Sequence, residues 1–347
     1  MAYSTLQNFS VRGVSTCVPE GVVDNQSGLE GVDPATARKV SAMAGVRRRH
    51  VSDGTVTASD LCRQAGAQLL DALEWAPESV DGLILVTQSP DYFLPSSSCL
   101  VHRDLGFPES TAAFDVGLGC SGYPYGLWLG GMMLNSGLDR VVVMHGETPS
   151  LFCHPEDHGT TLLFGDAGSA TALERDESGG TAAFSLHSDG AGYGDLIIRG
   201  GGFRDRHPED LRDTYLYMDG PGIFAFSLAR VPELIRETLD RAGIGPDGVD
   251  HFVLHQSNQF MMKHLAKKCG LDPAAVPIIL EEFGNTGGVS VPLAMTQAIP
   301  RDRDGPKRVC AVGYGVGLSW ASALFDLDPG AHLLHSIYES AANEDTP

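Results

Sequence analysis

An internal repeat running over half the chain constrains its fold more than any other feature. Leu70, Asp71, Pro77, Val80, Asp81 and Leu85 recur as Leu239, Asp240, Pro246, Val249, Asp250 and Leu254, each displaced by 169 positions. The same displacement carries the apolar run RVVVMHG, Arg140 to Gly146, onto VCAVGYG, Val309 to Gly315. Self-similarity at half the chain length implies two similar supersecondary assemblies in one body rather than a string of small stacked repeats. In each copy a helical pattern, ASDLCRQAGAQLLDALEW or FAFSLARVPELIRETLDRAG, precedes a short β-rich apolar run, GLILVTQ or HFVLHQ. Helix followed by buried strand, twice over, predicts a layered α/β fold. The expected division is a first half over 1–180, a second over 181–330 and a tail over 331–347. The glycine-, histidine- and acid-rich stretch 150–219 is expected to supply loops between the halves. The segment beyond Pro329 is expected as a surface helix or frayed end.

Composition removes several classes of partner. The 347 residues, 42% hydrophobic and 20% charged, can bury a sizeable core. A formal net charge of -20, with no long basic run, argues against nucleic acid, whose binding rests largely on phosphate neutralisation. Seven cysteines without a CxxC pair read as free thiols of a reducing compartment. No segment offers ~18 uninterrupted apolar residues for a membrane span, and MAYSTLQNFSVRG lacks the apolar core of a signal peptide. A soluble cytoplasmic protein with no membrane or nucleic-acid partner is expected.

Three residues carry the chemistry. Cys120 follows the strand-like TAAFDV and a Gly-Leu-Gly bend and precedes a helical pattern. A thiol at a helix N-terminus gains from the dipole and the free amides, which lower its pKa; the alternative is a small buried hydrophobe. His255 ends the run VDHFVLH, where a strand releases its last side chain toward a cleft and a neutral imidazole can take the thiol proton or donate to a substrate carbonyl; the alternative is a satisfied surface or core histidine. Asn285 lies in FGNTGG, where a turn role is the alternative to an amide donor. Under the repeat Gly119 maps to Gly288, so two loop-to-helix junctions are expected to face one another across a pseudo-twofold axis.

The stretches AFDVGLGCSG, LLFGDAGSA, VLHQSN, EEFGNTGGVSVP and GYGVGLSWASAL, in that order and spacing, resemble the β-ketoacyl-acyl-carrier-protein synthase III family of the thiolase superfamily. The resemblance runs from VRGVSTCVPE to about residue 320. It implies a thiolase-like five-layered α-β-α-β-α fold of two duplicated halves, usually a homodimer, and a ping-pong condensation. Cys120 would take an acyl group from coenzyme A or an acyl-carrier protein, the backbone amides of Cys120 and Val316 forming the oxyanion hole. His255 and Asn285 would then bond the carbonyl oxygen of a malonyl thioester, on coenzyme A or carrier protein, as carbon dioxide leaves. No metal or redox cofactor is implied. Acyl transfer from Cys120 to a small-molecule nucleophile, without decarboxylation, is the alternative.

Related branches of the superfamily are distinguished by residues outside the trio. A thiolase would carry a second catalytic cysteine in the GYGVG loop, where Tyr314 stands instead; Cys310 reads as core. Glu147 and Glu282 are available for a hydroxymethylglutaryl-CoA-synthase-like base but have no setting that assigns them. A type III polyketide synthase shares the trio, but FGDAGSA and the shorter chain favour the synthase III branch. Lys39 and Met43 stand where the family's adenine clamp has tryptophan and arginine, Phe260 where it has an arginine, and Ala225 where it has a docking lysine. Lys263, Lys267 and Lys268 form a basic stripe able to meet an acidic carrier, or a solvated helix face. Leu94, before Pro95 and beside Tyr92 and Phe93, replaces the phenylalanine that closes the partner subunit's acyl pocket. These departures predict a primer other than acetyl and a role in specialised metabolism.

Overall fold

The computed structural model describes residues 2–27, 33–177 and 180–339. Its strands are β1 (Ala2–Leu6), β2 (Phe9–Val18), β3 (Val22–Asp24), β4 (Arg48–His50), β5 (Gly82–Val86), β6 (Ala112–Val116), β7 (Arg140–Glu147), β8 (Ala167–Arg175), β9 (Ala182–Ser188), β10 (Leu196–Ile197), β11 (Tyr217–Met218), β12 (His251–Leu254), β13 (Lys307–Gly315), β14 (Ser319–Leu327) and β15 (His332–Ile337). Its helices are α1 (Pro34–Ala44), α2 (Ala58–Ala72), α3 (Ser97–Asp104), α4 (Gly122–Asn135), α5 (His158–Thr161), α6 (Gly220–Ala242), α7 (Gln259–Cys269), α8 (Leu280–Phe283) and α9 (Ser290–Ala298). One mixed sheet runs β15-β2-β8-β7-β5-β6 and the other β1-β9-β14-β13-β12, while β3 pairs with β4 and β10 with β11.

Helix ends follow local chemistry. Thr57 and Asp60 form a reciprocal capping box at the start of α2, and Asn258 accepts from the Met261 N–H to open α7. Gly243 and Gly270, both left-handed, close α6 and α7. The apolar faces then stack the elements in five layers. Helices α2 and α3 cover the outside of the six-stranded sheet, α4 and α9 lie between the sheets, and α6 and α7 cover the five-stranded sheet. Each sheet is buried on both faces, which is why RVVVMHG reads as a continuous apolar run. Val141 and Val143 point into the core between the sheets, and Val142 and Met144 into the core under α2. The thiolase-like layered fold expected from the family resemblance is the one observed.

The repeat is real but shifts by one residue partway. Asp81 accepts from the Asp139 and Arg140 N–H groups, at 2.8 and 3.0 Å, and Asp250 accepts from the Arg308 N–H at 2.8 Å. Strand β5 pairs Gly82 with Val141, and β12 pairs His251 with Val309. The counterpart of Arg140 is therefore Arg308, a displacement of 168 (140 to 308) rather than the expected 169. The ion pairs Arg140–Glu174 and Arg308–Asp326, both at 2.8 Å, repeat in the same register. A slip of one residue in a strand exchanges its faces. The corrected register puts Val141 and Val309 together in the central core, where the expected one would have opposed them.

Two other expectations are corrected. Residues 150–219 are not only connections, because β8 and β9 within them are inner strands of the two sheets. Their small residues, as in AGSATALER, pack closely and gave a weak strand signal. After Pro329 the chain forms β15, which pairs in parallel with β2 from His332↔Gly13 to Ile337↔Val18; residues 340–347 of the tail lie outside the described residues. All seven cysteines are free, as expected. Among the described residues no helix is long and apolar enough to cross a membrane.

Candidate active site

Cys120 sits on the turn between β6 and α4, two residues before the helix begins. Its backbone is fixed by the Gly122 N–H donating to the Gly119 carbonyl at 2.7 Å, and Ser121 Oγ lies 2.5 Å from Ser319 Oγ. The end of β13 runs flush against it. A Cβ on Gly313 would come 2.5 Å from the Cys120 carbonyl oxygen, and one on Gly315, where φ is +153°, would come 2.8 Å from Cys120 Cβ and 2.9 Å from Sγ. Glycine at both positions is thus a steric requirement. It brings the next amide, that of Val316, to the sulfur.

Burial pushes the Cys120 thiol up from 9.0 to about 11, the Val316 and Cys120 N–H groups pull it down, and the Glu147 carboxylate pushes it further up. The expected depression is corrected: desolvation outweighs the amides because most of the side chain is shielded from water. The two N–H groups that pull the thiol down, those of Val316 and Cys120, are the ones expected as oxyanion donors.

His255 follows β12, its N–H donating to the Val312 carbonyl at 2.7 Å. Its Nδ1 lies 2.8 Å from Ser290 Oγ, which also accepts from the Gln256 N–H at 3.0 Å, and its ring meets Tyr314 edge-on at 5.4 Å. Burial lowers its pKa from 6.5 to about 4, a backbone hydrogen bond with Gly287 pulls it up, and His145 pulls it down. The imidazole is therefore neutral at pH 7.

Asn285 is held at both ends. Its N–H donates to the Leu163 carbonyl at 2.9 Å and its carbonyl accepts from the Gly165 N–H at 3.0 Å. Oδ1 accepts from the Gly287 N–H at 3.0 Å, which orients the amide, and Nδ2 donates to the Ser257 carbonyl at 3.3 Å. Nδ2 carries a second hydrogen for a ligand.

Cys120, His255 and Asn285 line one cavity of about 80 Å³, with Ser257 and Tyr314. Cys120 also opens onto a second cavity of about 220 Å³ with walls that include Phe152, Phe164, Leu216 and Glu147. The trio chosen from sequence thus meets at one place. A larger groove of about 650 Å³, lined by His187, Arg230, Glu237 and Trp320, holds none of these residues and runs between α6 and the adjoining ends of β9 and β14.

The other candidates lie apart from the cavities. Leu94 is 79% exposed, as are its neighbours Tyr92 and Phe93 to lesser extents, and Phe93 packs on Phe203 at 5.3 Å. Lys263, Lys267 and Lys268 are exposed on α7, Lys268 Nζ donating to the Leu228 carbonyl at 2.7 Å. Lys39 and Met43 are exposed on α1, and Phe260 stacks on Phe224. Glu282 binds Arg47 and Arg48 and lines neither cavity. Glu147, by contrast, borders the Cys120 cavity, its oxygens accepting from the Gln88 N–H at 3.0 Å and Ser89 Oγ at 3.2 Å. Ser290, Ser257 and Glu147 were not assigned from sequence; HQSN and SVP gave only a spacing, and a serine's partner is visible only in space.

Comparison with known proteins finds close relatives in sequence and in fold. Residues 114–190 match the family model described as 3-oxoacyl-[acyl-carrier-protein (ACP)] synthase III, and residues 239–327 match its C-terminal counterpart. A β-ketoacyl-[acyl-carrier-protein] synthase III of Desulfitobacterium hafniense is 32% identical over 90% of this chain and 96% of its own length. The crystal structure of a 3-oxoacyl-(acyl-carrier protein) synthase from Burkholderia xenovorans superposes with a TM-score of 0.93 at 41% identity, covering 97% of this chain and 99% of that one. A 3-oxoacyl-(acyl carrier protein) synthase III from Pseudomonas aeruginosa gives 0.81 at 29% identity, covering 92% and 98%.

Proposed function

Because the chain belongs to the 3-oxoacyl-[acyl-carrier-protein] synthase III family of condensing enzymes, we propose that it performs a ping-pong decarboxylative Claisen condensation with the acyl group held on Cys120. The observation that carries this reading is the position of Cys120 at the meeting of two cavities, one largely apolar and one holding His255 and Asn285. Relieved of its proton, Sγ attacks the carbonyl carbon of an acyl thioester. The donor's C–S bond breaks, the donor leaves as a protonated thiol, and an acyl-cysteine remains. The tetrahedral oxyanion accepts hydrogen bonds from the Cys120 and Val316 N–H groups, the two amides that favour negative charge on the thiol.

A malonyl thioester then enters the smaller cavity. As its carboxylate departs as carbon dioxide, the bonding electrons move to the α-carbon and charge develops on the thioester oxygen. His255 and Asn285 Nδ2 donate to that oxygen. An imidazole held neutral, with its pKa at about 4, stabilises an enolate without supplying the acidic proton that would quench it. The α-carbon attacks the acyl-cysteine, expels the thiolate and gives a β-ketoacyl product.

This scheme uses thioesters of coenzyme A or of a carrier protein and calls on no metal or redox cofactor. Lys263, Lys267 and Lys268 offer positive charge to an acidic carrier. The exposed Tyr92, Phe93 and Leu94 form an apolar projection suited to a second copy of the chain in a homodimer, Leu94 closing the partner's acyl cavity. The two donors beside Cys120 favour condensation over simple acyl transfer, which has no enolate to stabilise. Intact-mass analysis after exposure to acyl thioesters should reveal an adduct absent from Cys120→Ala. Addition of malonyl-carrier protein should discharge it with release of carbon dioxide. Asn285→Ala should load but decarboxylate at least tenfold more slowly. Discharge to water or a small nucleophile without carbon dioxide would overturn condensation.

A further inference from the structure

Cys120 faces a cavity far larger than a two-carbon group needs. It measures about 220 Å³, and its walls are drawn largely from Phe152, Phe164, Leu196, Ile197, Ile198 and Leu216. An apolar cavity of roughly 150 Å³ accommodates benzene and stays dry when empty. An acetyl group on Cys120 would therefore leave most of this wall without partner atoms, losing the contacts that close packing supplies. The polar groups on the wall are few. Glu147 already accepts at both carboxylate oxygens, from the Gln88 N–H and from Ser89 Oγ, and as a carboxylate repels an anionic tail. Gln88 Oε1 lies beside Gly119, at the reacting end rather than along the chain. A polar or charged tail would find no partner among the six apolar side chains, and would be left desolvated.

One side of the cavity is the short antiparallel β10–β11 pair, whose flanking Ile198 and Leu216 line the cavity. On this basis we infer that the chain loads a medium-length, unsubstituted aliphatic acyl group, of about six to eight carbons, in preference to acetyl. The inference rests on the acyl-cysteine reading above. Burying each additional methylene favours binding by about fourfold, so a hexanoyl donor gains up to about two hundredfold over acetyl when all four extra methylenes are covered.

The test is a chain-length series. Acetyl, butyryl, hexanoyl, octanoyl and dodecanoyl thioesters, each on coenzyme A and on carrier protein, are incubated with the wild-type chain and with Ile198→Phe. Formation of the Cys120 adduct is followed by intact mass, and folding by circular dichroism. The expected result is loading at least tenfold faster for hexanoyl or octanoyl than for acetyl from at least one carrier. In Ile198→Phe the optimum should move toward shorter chains, with octanoyl loading reduced most. An adduct that forms as fast or faster from acetyl, or an optimum at dodecanoyl, would overturn the inference and leave the acyl-cysteine reading standing. No adduct from any donor on a folded protein would overturn that reading and the inference with it.

Discussion

Alkylation of Cys120 across pH tests how the site balances desolvation against its two amides. Burial and the Glu147 carboxylate hold the thiol at about 11 rather than 9.0, against the pull of the Val316 and Cys120 N–H groups. Two units correspond to a thiolate fraction about one hundredfold lower at neutral pH than that of an unperturbed thiol. The resting enzyme is therefore expected to react slowly with small alkylating agents. In a Cys99→Ser background, which removes the exposed competing thiol, carboxamidomethylation of Cys120 is read by peptide mass spectrometry. The rate should rise about tenfold per pH unit, because only the thiolate is nucleophilic, and level off near pH 11. Glu147→Gln removes the negative charge that opposes the thiolate and keeps one acceptor oxygen for the Gln88 N–H, so its inflection should fall below that of wild type. A wild-type inflection at or below 9.0 would refute the claim that desolvation outweighs the amides. An inflection unmoved in a folded Glu147→Gln would refute the electrostatic part alone.

Two further outcomes follow from the same geometry. Gly315→Ala places a methyl 2.8 Å from Cys120 Cβ at a φ of +153°; it should cost about 1–3 kcal/mol in denaturant unfolding and slow acyl loading more than tenfold, and wild-type loading would contradict the contact. On the acid side, burial lowers His255 and His335 to about 4, so each binds a proton more readily unfolded than folded, with its stabilisation present above 6.5 and lost as pH falls toward 4. The loss is about 1.4 kcal/mol per pH unit per histidine, partly offset by Asp166, whose raised pKa of about 6 works in the opposite sense. His335→Gln should flatten the fall in unfolding free energy between pH 6.5 and pH 4.5, and an unchanged slope would count against the assignment.

Much of this was legible in the sequence, for reasons that also explain the misses. The Asp81 and Asp250 positions stood out because each caps the return of a neighbouring strand, a local task that tolerates few residue types. The one-residue shift between β7 and β13 was not legible. Both strands are covered on both faces, so RVVVMHG and RVCAVGY carry no alternation from which a phase can be read. Cys120, His255 and Asn285 were found because each sits at the end of a strand or on a glycine turn, where a side chain is aimed by the backbone. The thiol's pKa was misjudged for the opposite reason. The helix N-terminus is a local feature, whereas the desolvation that outweighs it comes from β13, nearly two hundred positions away.

The shift also explains why two similar halves give one site. At a displacement of 168, Cys120 corresponds to Gly288, Gly313 to His145 and Gly315 to Glu147. In one half β13 ends in glycines, and the Cys120 backbone and side chain occupy the space beside them. In the other, β7 bears His145 and Glu147 at the matching positions, and there the facing loop is reduced to glycine. A Cβ on Gly287 would come 3.0 Å from Glu147 Cγ, and one on Gly288 would run into the His145 ring and the Gly119 carbonyl. Bulk and its absence have been exchanged across the axis. His145 thus denies the second half a nucleophile where the first half has one. That second half instead supplies His255 and Asn285, whose nearest counterparts in the first half are the apolar end of β5, at Val86, and the end of β6. Duplication supplied two loop-to-helix junctions facing one another. Divergence left one as the nucleophile's seat and made the other a close-packed wall against which the donors are held.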